Sequence, residues 1–66
     1  MTIEDVIGER VKKIGITAAE LARRCDMNDV LLRRSLDGKR PVKSAELIRL
    51  CNELGLGLED FKDCMS

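Results

Sequence analysis

Residues 17–38 read TAAELARRCDMNDVLLRRSLDG, and this stretch decides the fold. Thr17 is a favourable N-cap, and Glu20 three residues later predicts a capping box. Asn28 is a second favourable N-cap and follows directly after a polar turn at residues 26–27. The stretch therefore predicts two short amphipathic helices joined by a tight turn, which is the arrangement of a helix-turn-helix.

The second of these helices, at about residues 28–37, has two distinct faces on a wheel of 100° per residue. Its inner face is expected to hold Leu31, Leu32, Ser35 and Leu36. Its outer face is expected to hold Asp29, Val30, Arg33, Arg34 and Asp37. An exposed valine between arginines favours contact with a partner, although paired arginines are also common on a plain solvated helix.

Further helices are predicted on both sides of this stretch. The first covers about residues 3–13, ends at Gly15, and has an apolar stripe of Ile3, Ile7, Val11 and Ile14. The fourth is capped by Ser44, ends at Gly55, and turns inward Leu47, Ile48, Leu50, Cys51 and Leu54. A short fifth covers about residues 57–65. We therefore expect an all-α fold, a compact five-helix bundle that forms one domain over residues 1–66.

The charge of the chain is balanced in total but uneven along its length. Twelve basic and twelve acidic side chains give a net charge of zero. Residues 23–43 nevertheless carry seven basic side chains against three acidic ones, whereas residues 44–66 carry two against five. A polyanion responds to the local charge of a surface. The basic segment therefore indicates nucleic-acid binding, and it outweighs the net charge of zero, which argues against it.

The composition also argues against several classes of protein. The chain has no histidine and no glycine-rich phosphate loop, and its three cysteines form neither a zinc pattern nor a disulfide framework. We expect no enzymatic activity, no metal and no cofactor, with Cys25 and Cys51 in the core. Because no apolar run reaches 18 residues and no signal peptide is evident, we expect no membrane partner and a cytoplasmic location.

Several short motifs, taken in order along the chain, carry a family resemblance. They are Ile7-Gly8-Glu9-Arg10, Gly15-Ile16-Thr17, Glu20-Leu21-Ala22, Leu36-Asp37-Gly38-Lys39-Arg40-Pro41, and an ending with Leu54-Gly55-Leu56, Leu58, Glu59 and Phe61. Together they resemble the phage repressor and Cro family, also called the xenobiotic-response-element family of bacterial regulators. The resemblance spans residues 7–61. It implies a lambda-repressor-like bundle that binds double-stranded DNA with its third helix in the major groove.

The resemblance implies a role for each exposed residue of the central stretch. Base contacts are expected from Asn28, Asp29, Val30 and Arg34. Phosphate contacts are expected from Thr17, Arg33, Lys39, Arg40 and Lys43. The residue types fit, because arginine can donate two parallel hydrogen bonds to guanine, valine can contact a thymine methyl group, and aspartate can accept from cytosine.

The resemblance also implies a homodimer formed through the last helix. The candidate interface consists of Leu56, Leu58, Phe61 and Met65. Together they offer more apolar surface than a 66-residue monomer needs to expose, which favours an interface. The alternative, which fits equally well, is that they are buried and complete the core.

The chain departs from the family pattern at three positions. Ala18 stands where a glutamine usually contacts a phosphate, and Asp26 stands where the turn commonly has glycine. Ser35 falls where isoleucine or leucine is usually buried. We expect Leu36 to occupy this buried position instead, which requires a slight rotation of the helix. The alternative is that the Ser35 hydroxyl donates to the helix carbonyl four residues earlier.

The sequence therefore predicts a sequence-specific DNA-binding transcriptional regulator of the Cro/repressor type, from a bacterium or a prophage. The alternative is a protein-interaction module with the same fold, such as an antidote or anti-repressor, that has lost DNA binding. The net charge of zero, Ala18, Asp29 and the exposed Val30 favour this alternative. Salt distinguishes the two, because binding through phosphates weakens steeply as salt rises.

Overall fold

The computed structural model describes residues 1–64, which form four α-helices and one 3₁₀ helix and contain no strand. The elements are α1 (Ile3–Ile14), α2 (Ala18–Arg24), α3 (Asp29–Leu36), α4 (Ser44–Leu54) and the 3₁₀ helix (Leu58–Cys64). Their Cα atoms have a radius of gyration of 10.7 Å. The prediction of a compact all-α fold with five helices is confirmed.

The first helix is held at both ends by local hydrogen bonds. Thr2 Oγ1 accepts from the Asp5 N–H at 3.1 Å, and the Asp5 carboxylate accepts from the Thr2 N–H at 3.0 Å. This capping box was not predicted, although its Thr-x-x-Asp pattern is visible in the sequence. At the other end Gly15 adopts φ 82°, as predicted, which is a left-handed conformation that glycine takes at little cost.

The caps of α2 and α3 follow the sequence with one exception. Thr17 Oγ1 accepts from the Glu20 N–H at 3.1 Å, and Asn28 Oδ1 accepts from the N–H groups of Val30 and Leu31 at 2.9 and 3.3 Å. The predicted capping box of α2 is only half formed. The Glu20 carboxylate instead accepts from Arg23 and Arg24, because these guanidinium groups lie three and four residues along the same helix.

All five helices contribute apolar side chains to one core. Ile7, Leu21, Leu32 and Leu50 have no exposed surface. The other buried apolar residues are Val6, Val11, Ala22, Cys25, Leu54, Leu56 and Phe61. Burying a large aliphatic side chain contributes about 1.5–3 kcal/mol, so this core is the main source of stability.

Four apolar residues assigned to inner faces lie at the surface instead: Ile3, Ile14, Leu31 and Ile48. Ile3 and Ile14 are exposed at the first and last positions of α1, so the stripe is buried only in its middle. Ile48 is 71% exposed. It lies two residues from the fully buried Leu50, which places it about 200° around the axis of α4.

The start of α4 and the form of the last helix also differ from prediction. The N-cap is Lys43 rather than Ser44, and its N–H donates to the Glu46 carboxylate at 3.1 Å. The last segment is 3₁₀ rather than α. In its first turn the Asp60 N–H donates to the Gly57 carbonyl three residues earlier at 3.1 Å, which is the 3₁₀ pattern, and the Asp60 carboxylate accepts from the Gly57 N–H at 2.8 Å.

The helices of the described residues are short. None of them is long and apolar enough to cross a membrane.

Candidate nucleic-acid interface

The connection between α2 and α3 is built around one residue with positive φ. Asp26 has φ 55°, and it is the only non-glycine residue of the described chain in this region. The Met27 N–H donates to the Ala22 carbonyl at 2.8 Å across it, which is the hydrogen bond of a Schellman motif. Asp26 thus takes the left-handed conformation at the position where the family commonly has glycine, and the two helices are joined by a short, hydrogen-bonded turn.

The face of α3 that points away from the core is centred on Val30. Leu32 and Ser35 are fully buried, whereas Val30 is 59% exposed. Arg33 and Arg34 are exposed beside it. Asn28 uses its carbonyl oxygen as the N-cap, so its amide donors are free to bind a ligand. The four predicted base-contact positions therefore lie at the start or on the outer side of α3.

The predicted rotation of α3 is wrong in one respect. Ser35 itself is fully buried, and Leu36 is only half-buried, so Leu36 does not replace it. The Ser35 hydroxyl accepts from Arg40 Nη1 at 3.0 Å. Leu31, expected on the inner face, is partly exposed.

The ion pairs on α2 and α3 decide which arginines can bind an anion. Arg23 and Arg24 both bond Glu20, and Arg24 also lies 3.4 Å from Glu53 of α4. Arg33 lies 3.7 Å from Asp29 one turn earlier. An exposed pair of this kind is worth about 0.3–0.5 kcal/mol, so Arg33 can exchange its partner for a phosphate at little cost.

Arg40 does not occupy the surface position expected of a phosphate contact. Its Nη1 and Nη2 donate to the two carboxylate oxygens of Glu46, both at 3.1 Å, and its side chain is only 15% exposed. This bidentate pair neutralises the guanidinium. A phosphate would have to compete with Glu46 for Arg40, so the pair weighs against the predicted phosphate contact. The signal in the sequence was Ser35, because a polar residue on the inner face of a helix needs a buried hydrogen-bond partner, which here is Arg40.

Three basic side chains of the central segment have no carboxylate within 4 Å among residues 1–64. They are Arg34 on α3, Lys39 in the following loop and Lys43 at the start of α4. All three are exposed. The loop between them is held by Gly38 at φ 76° and by the Glu4 carboxylate, which accepts from the Val42 N–H at 2.7 Å.

Thr17 and Asp29 each have a role within the protein. The Thr17 hydroxyl caps α2 and is exposed, so its proton can still be donated. Asp29 lies in the first turn of α3, where a negative charge is favourable. The pairing of Asp29 with Arg33 gives it a structural explanation beside the proposed contact with a base.

The pKa shifts follow from the same contacts. Hydrogen bonds from Arg40 hold the pKa of Glu46 below its usual value, and those from Arg24 and then Arg23 lower the pKa of Glu20. Burial raises the thiol pKa values of Cys25 and Cys51. No cluster of three potential metal ligands occurs among residues 1–64.

The candidate dimer interface is divided by the structure. Leu56 and Phe61 are buried in the core, whereas Leu58 is 82% exposed, and Met65 lies outside the described residues. Leu58 borders an apolar groove of ≈ 360 Å³ between α4 and the 3₁₀ helix. Ile48, which sequence reasoning had assigned to the core, lines the same groove.

We compared the chain with models of protein families, with characterised proteins and with solved structures, and none of them matches it.

Proposed function

We propose that the protein is a sequence-specific DNA-binding regulator of the Cro/repressor type. In this proposal α2 and α3 act as a helix-turn-helix, and α3 enters the major groove of double-stranded DNA. The protein acts in the cytoplasm of a bacterium, or as part of a prophage, and catalyses no reaction.

The outer face of α3 carries the proposal. Val30 is 59% exposed there, and Arg34 beside it has no carboxylate within 4 Å in residues 1–64. An apolar contact for a thymine methyl group next to an arginine that can bond guanine is the chemistry of a base-reading surface.

Basic and polar groups next to α3 support its proposed orientation in the major groove. Lys39 and Lys43 are exposed cations in the loop that follows α3, and the exposed Thr17 marks the start of α2. Phosphate contacts on either side of a recognition helix fix its register on the duplex. Arg33 joins them, because its pair with Asp29 is weak and exposed.

Fluorescence anisotropy with a pool of random-sequence duplexes at two salt concentrations tests the proposal. Release of about one counterion per phosphate contact predicts a slope of log K against log salt of about −3 to −4 per protomer. Selection of the bound fraction should then enrich a defined sequence. Absence of binding at low salt and high protein concentration would contradict the proposal.

The second candidate function is a protein-interaction module that does not bind DNA. It is favoured by the exposed apolar groove beside Leu58 and by the ion pairs that Glu20 and Glu53 form with the two arginines of α2. For this candidate, association with the partner would change little between low and physiological salt.

We further propose that the regulator acts as a homodimer. A single recognition helix gives limited affinity, and a symmetric dimer presents two such helices one turn of DNA, about 34 Å, apart. Leu58 and Ile48 together form the exposed apolar surface that supports this proposal. Leu56 and Phe61 line the groove beside Leu58 but belong mostly to the core, so most of the exposed surface comes from Leu58 and Ile48.

A further inference from the structure

One buried polar network joins α3 to α4. Its centre is Arg40, whose Nη1 donates both to Ser35 Oγ at 3.0 Å and to Glu46 Oε1 at 3.1 Å. Ser35 is fully buried, and the Glu46 side chain is 17% exposed. This network is largely shielded from water, so its hydrogen bonds are stronger and more costly to break than those on the surface.

The same network fixes the path of the loop between the two helices. Glu46 Oε1 also accepts from the Lys43 N–H at 3.1 Å, which caps α4. At the other end of the loop, the Lys39 N–H donates to the Arg34 carbonyl at 2.9 Å across Gly38. The loop is therefore bonded to the last turn of α3 and to the first turn of α4.

A hydrogen bond restricts the rotation of a helix in a way that apolar contacts do not. Leucine side chains tolerate small rotations of α3, because they can repack against the same neighbours. A rotation of α3 moves the Ser35 hydroxyl away from Arg40 Nη1, because two hydrogen bonds to Glu46 hold the guanidinium in place. Any rotation would also move Val30 and Arg34 by the same angle on the outer face.

We propose that the network of Ser35, Arg40 and Glu46 sets the rotation of α3 about its axis and thereby determines which DNA sequence the protein prefers. The three are positioning residues, since they act through Val30 and Arg34 and contact no base. The inference rests on the proposed DNA-binding function and deepens it by naming what controls specificity.

Two variants test the inference against two matched controls. Ser35→Ala removes the acceptor on α3, and Glu46→Gln weakens the pair with Arg40 while keeping the size of the side chain. Ser44→Ala and Glu53→Gln make the same changes on α4 outside the network, and Glu53 also has a long-range arginine partner, Arg24 at 3.4 Å. Each pair of variants therefore has the same change in net charge.

The measured quantity is the ratio of affinities for the selected duplex and for random duplex. We expect this ratio to fall about tenfold for Ser35→Ala and Glu46→Gln, with an altered selected sequence. Affinity for random DNA should match that of the corresponding control. A ratio equal to that of the wild type, or an equal loss for both duplexes, would overturn the inference.

Residual dipolar couplings of the backbone N–H groups provide a readout that does not use DNA. They report the orientation of α3, including its rotation, relative to α4. We expect the couplings of α3 alone to change in the two network variants, and unchanged couplings would refute the positioning role. If the wild-type protein binds no DNA, the proposed function fails, whereas the couplings still decide whether the network orients α3.

Discussion

At the scale of single residues, the outer face of α3 carries two side chains that have no role in folding. Val30 and Arg34 neither enter the core nor form an ion pair within residues 1–64. Asn28 and Asp29 differ, because each has a role in holding the start of the helix. Because Val30 and Arg34 have no partner among the described residues, they are the residues expected to form the strongest new contacts with a ligand.

Arg34→Ala is therefore expected to weaken binding to the selected duplex by about 1–3 kcal/mol and to relax the preference at one base pair. Arg49→Ala is the matched control, because Arg49 is also exposed, lies on α4, and has no ion pair in the described residues. Both variants lose one positive charge. Anisotropy titrations against selected and random duplexes measure the effect, and equal losses for the two variants would show that Arg34 reads no base.

At the scale of secondary structure, two glycines, one within α1 and one that caps its C-terminus, are expected to respond in opposite directions to the same substitution. A Cβ atom at Gly8 would lie 3.8 Å from the Leu36 carbonyl oxygen, an ordinary contact, so Gly8→Ala should stabilise the helix by about 0.5–1 kcal/mol. Gly15 has no neighbour within 4 Å but adopts φ 82°. Gly15→Ala should therefore cost about 1 kcal/mol through backbone strain alone.

Urea unfolding followed by circular dichroism measures both changes in the free energy of unfolding. The wild type serves as the reference for the two variants. A destabilising Gly8→Ala would show that α1 packs more closely on α3 than the 3.8 Å contact indicates.

Helix existence and helix ends were largely predictable from the sequence, because their signals are local. Asn28, Gly15 and Gly55 act within one turn of chain, and each caps its helix as predicted. A helical wheel, in contrast, shows on which face of its helix a residue lies, but it does not show which neighbouring helices cover that face. For that reason Ile48 was assigned to an inner face that the fold leaves exposed.

The candidate site was less predictable than the fold. The family resemblance implied that Arg40 contacts a phosphate, but its partner Glu46 comes within reach only through the path of the loop. The bond from the Gly57 N–H to the Asp60 carboxylate was likewise not predicted. Such contacts depend on side-chain geometry rather than on periodicity.

At the scale of the whole molecule, carboxylates held by hydrogen bonds make stability depend on pH. The pKa values of Glu46, Glu20 and Asp5 are lowered in the folded protein by bonds from Arg40, from Arg24 and from the Thr2 backbone, respectively. In acid the unfolded chain consequently binds more protons than the folded chain. Their contribution is complete above the ordinary carboxyl pKa and is lost as pH falls through the lowered values.

We therefore expect the free energy of unfolding to decrease as pH falls below about 4.5, the ordinary value for glutamate. Glu46→Gln should reduce this dependence, because glutamine does not titrate and the Arg40 pair no longer contributes. Unfolding measured at intervals of pH compares the two proteins. Identical pH profiles would show that the Arg40–Glu46 pair contributes nothing to acid sensitivity.

Self-association is the second property of the whole molecule that can be tested. Ile48→Ser and Leu58→Ser remove exposed apolar surface, so the stability of the monomer should change by less than about 0.5 kcal/mol. If the groove between α4 and the 3₁₀ helix joins two copies, both variants should shift sedimentation equilibrium toward the monomer. A wild-type protein that is monomeric at high micromolar concentration, with and without DNA, would refute the homodimer.

The separation of the two faces of α3 has a consequence for protein engineering. Leu32 and Ser35 attach the helix to the core, and Asn28 caps it, whereas positions 30, 33 and 34 carry no buried contact. A combinatorial library restricted to those three positions should therefore consist mostly of folded members. The arrangement makes new recognition properties accessible by substitution without redesign of the scaffold.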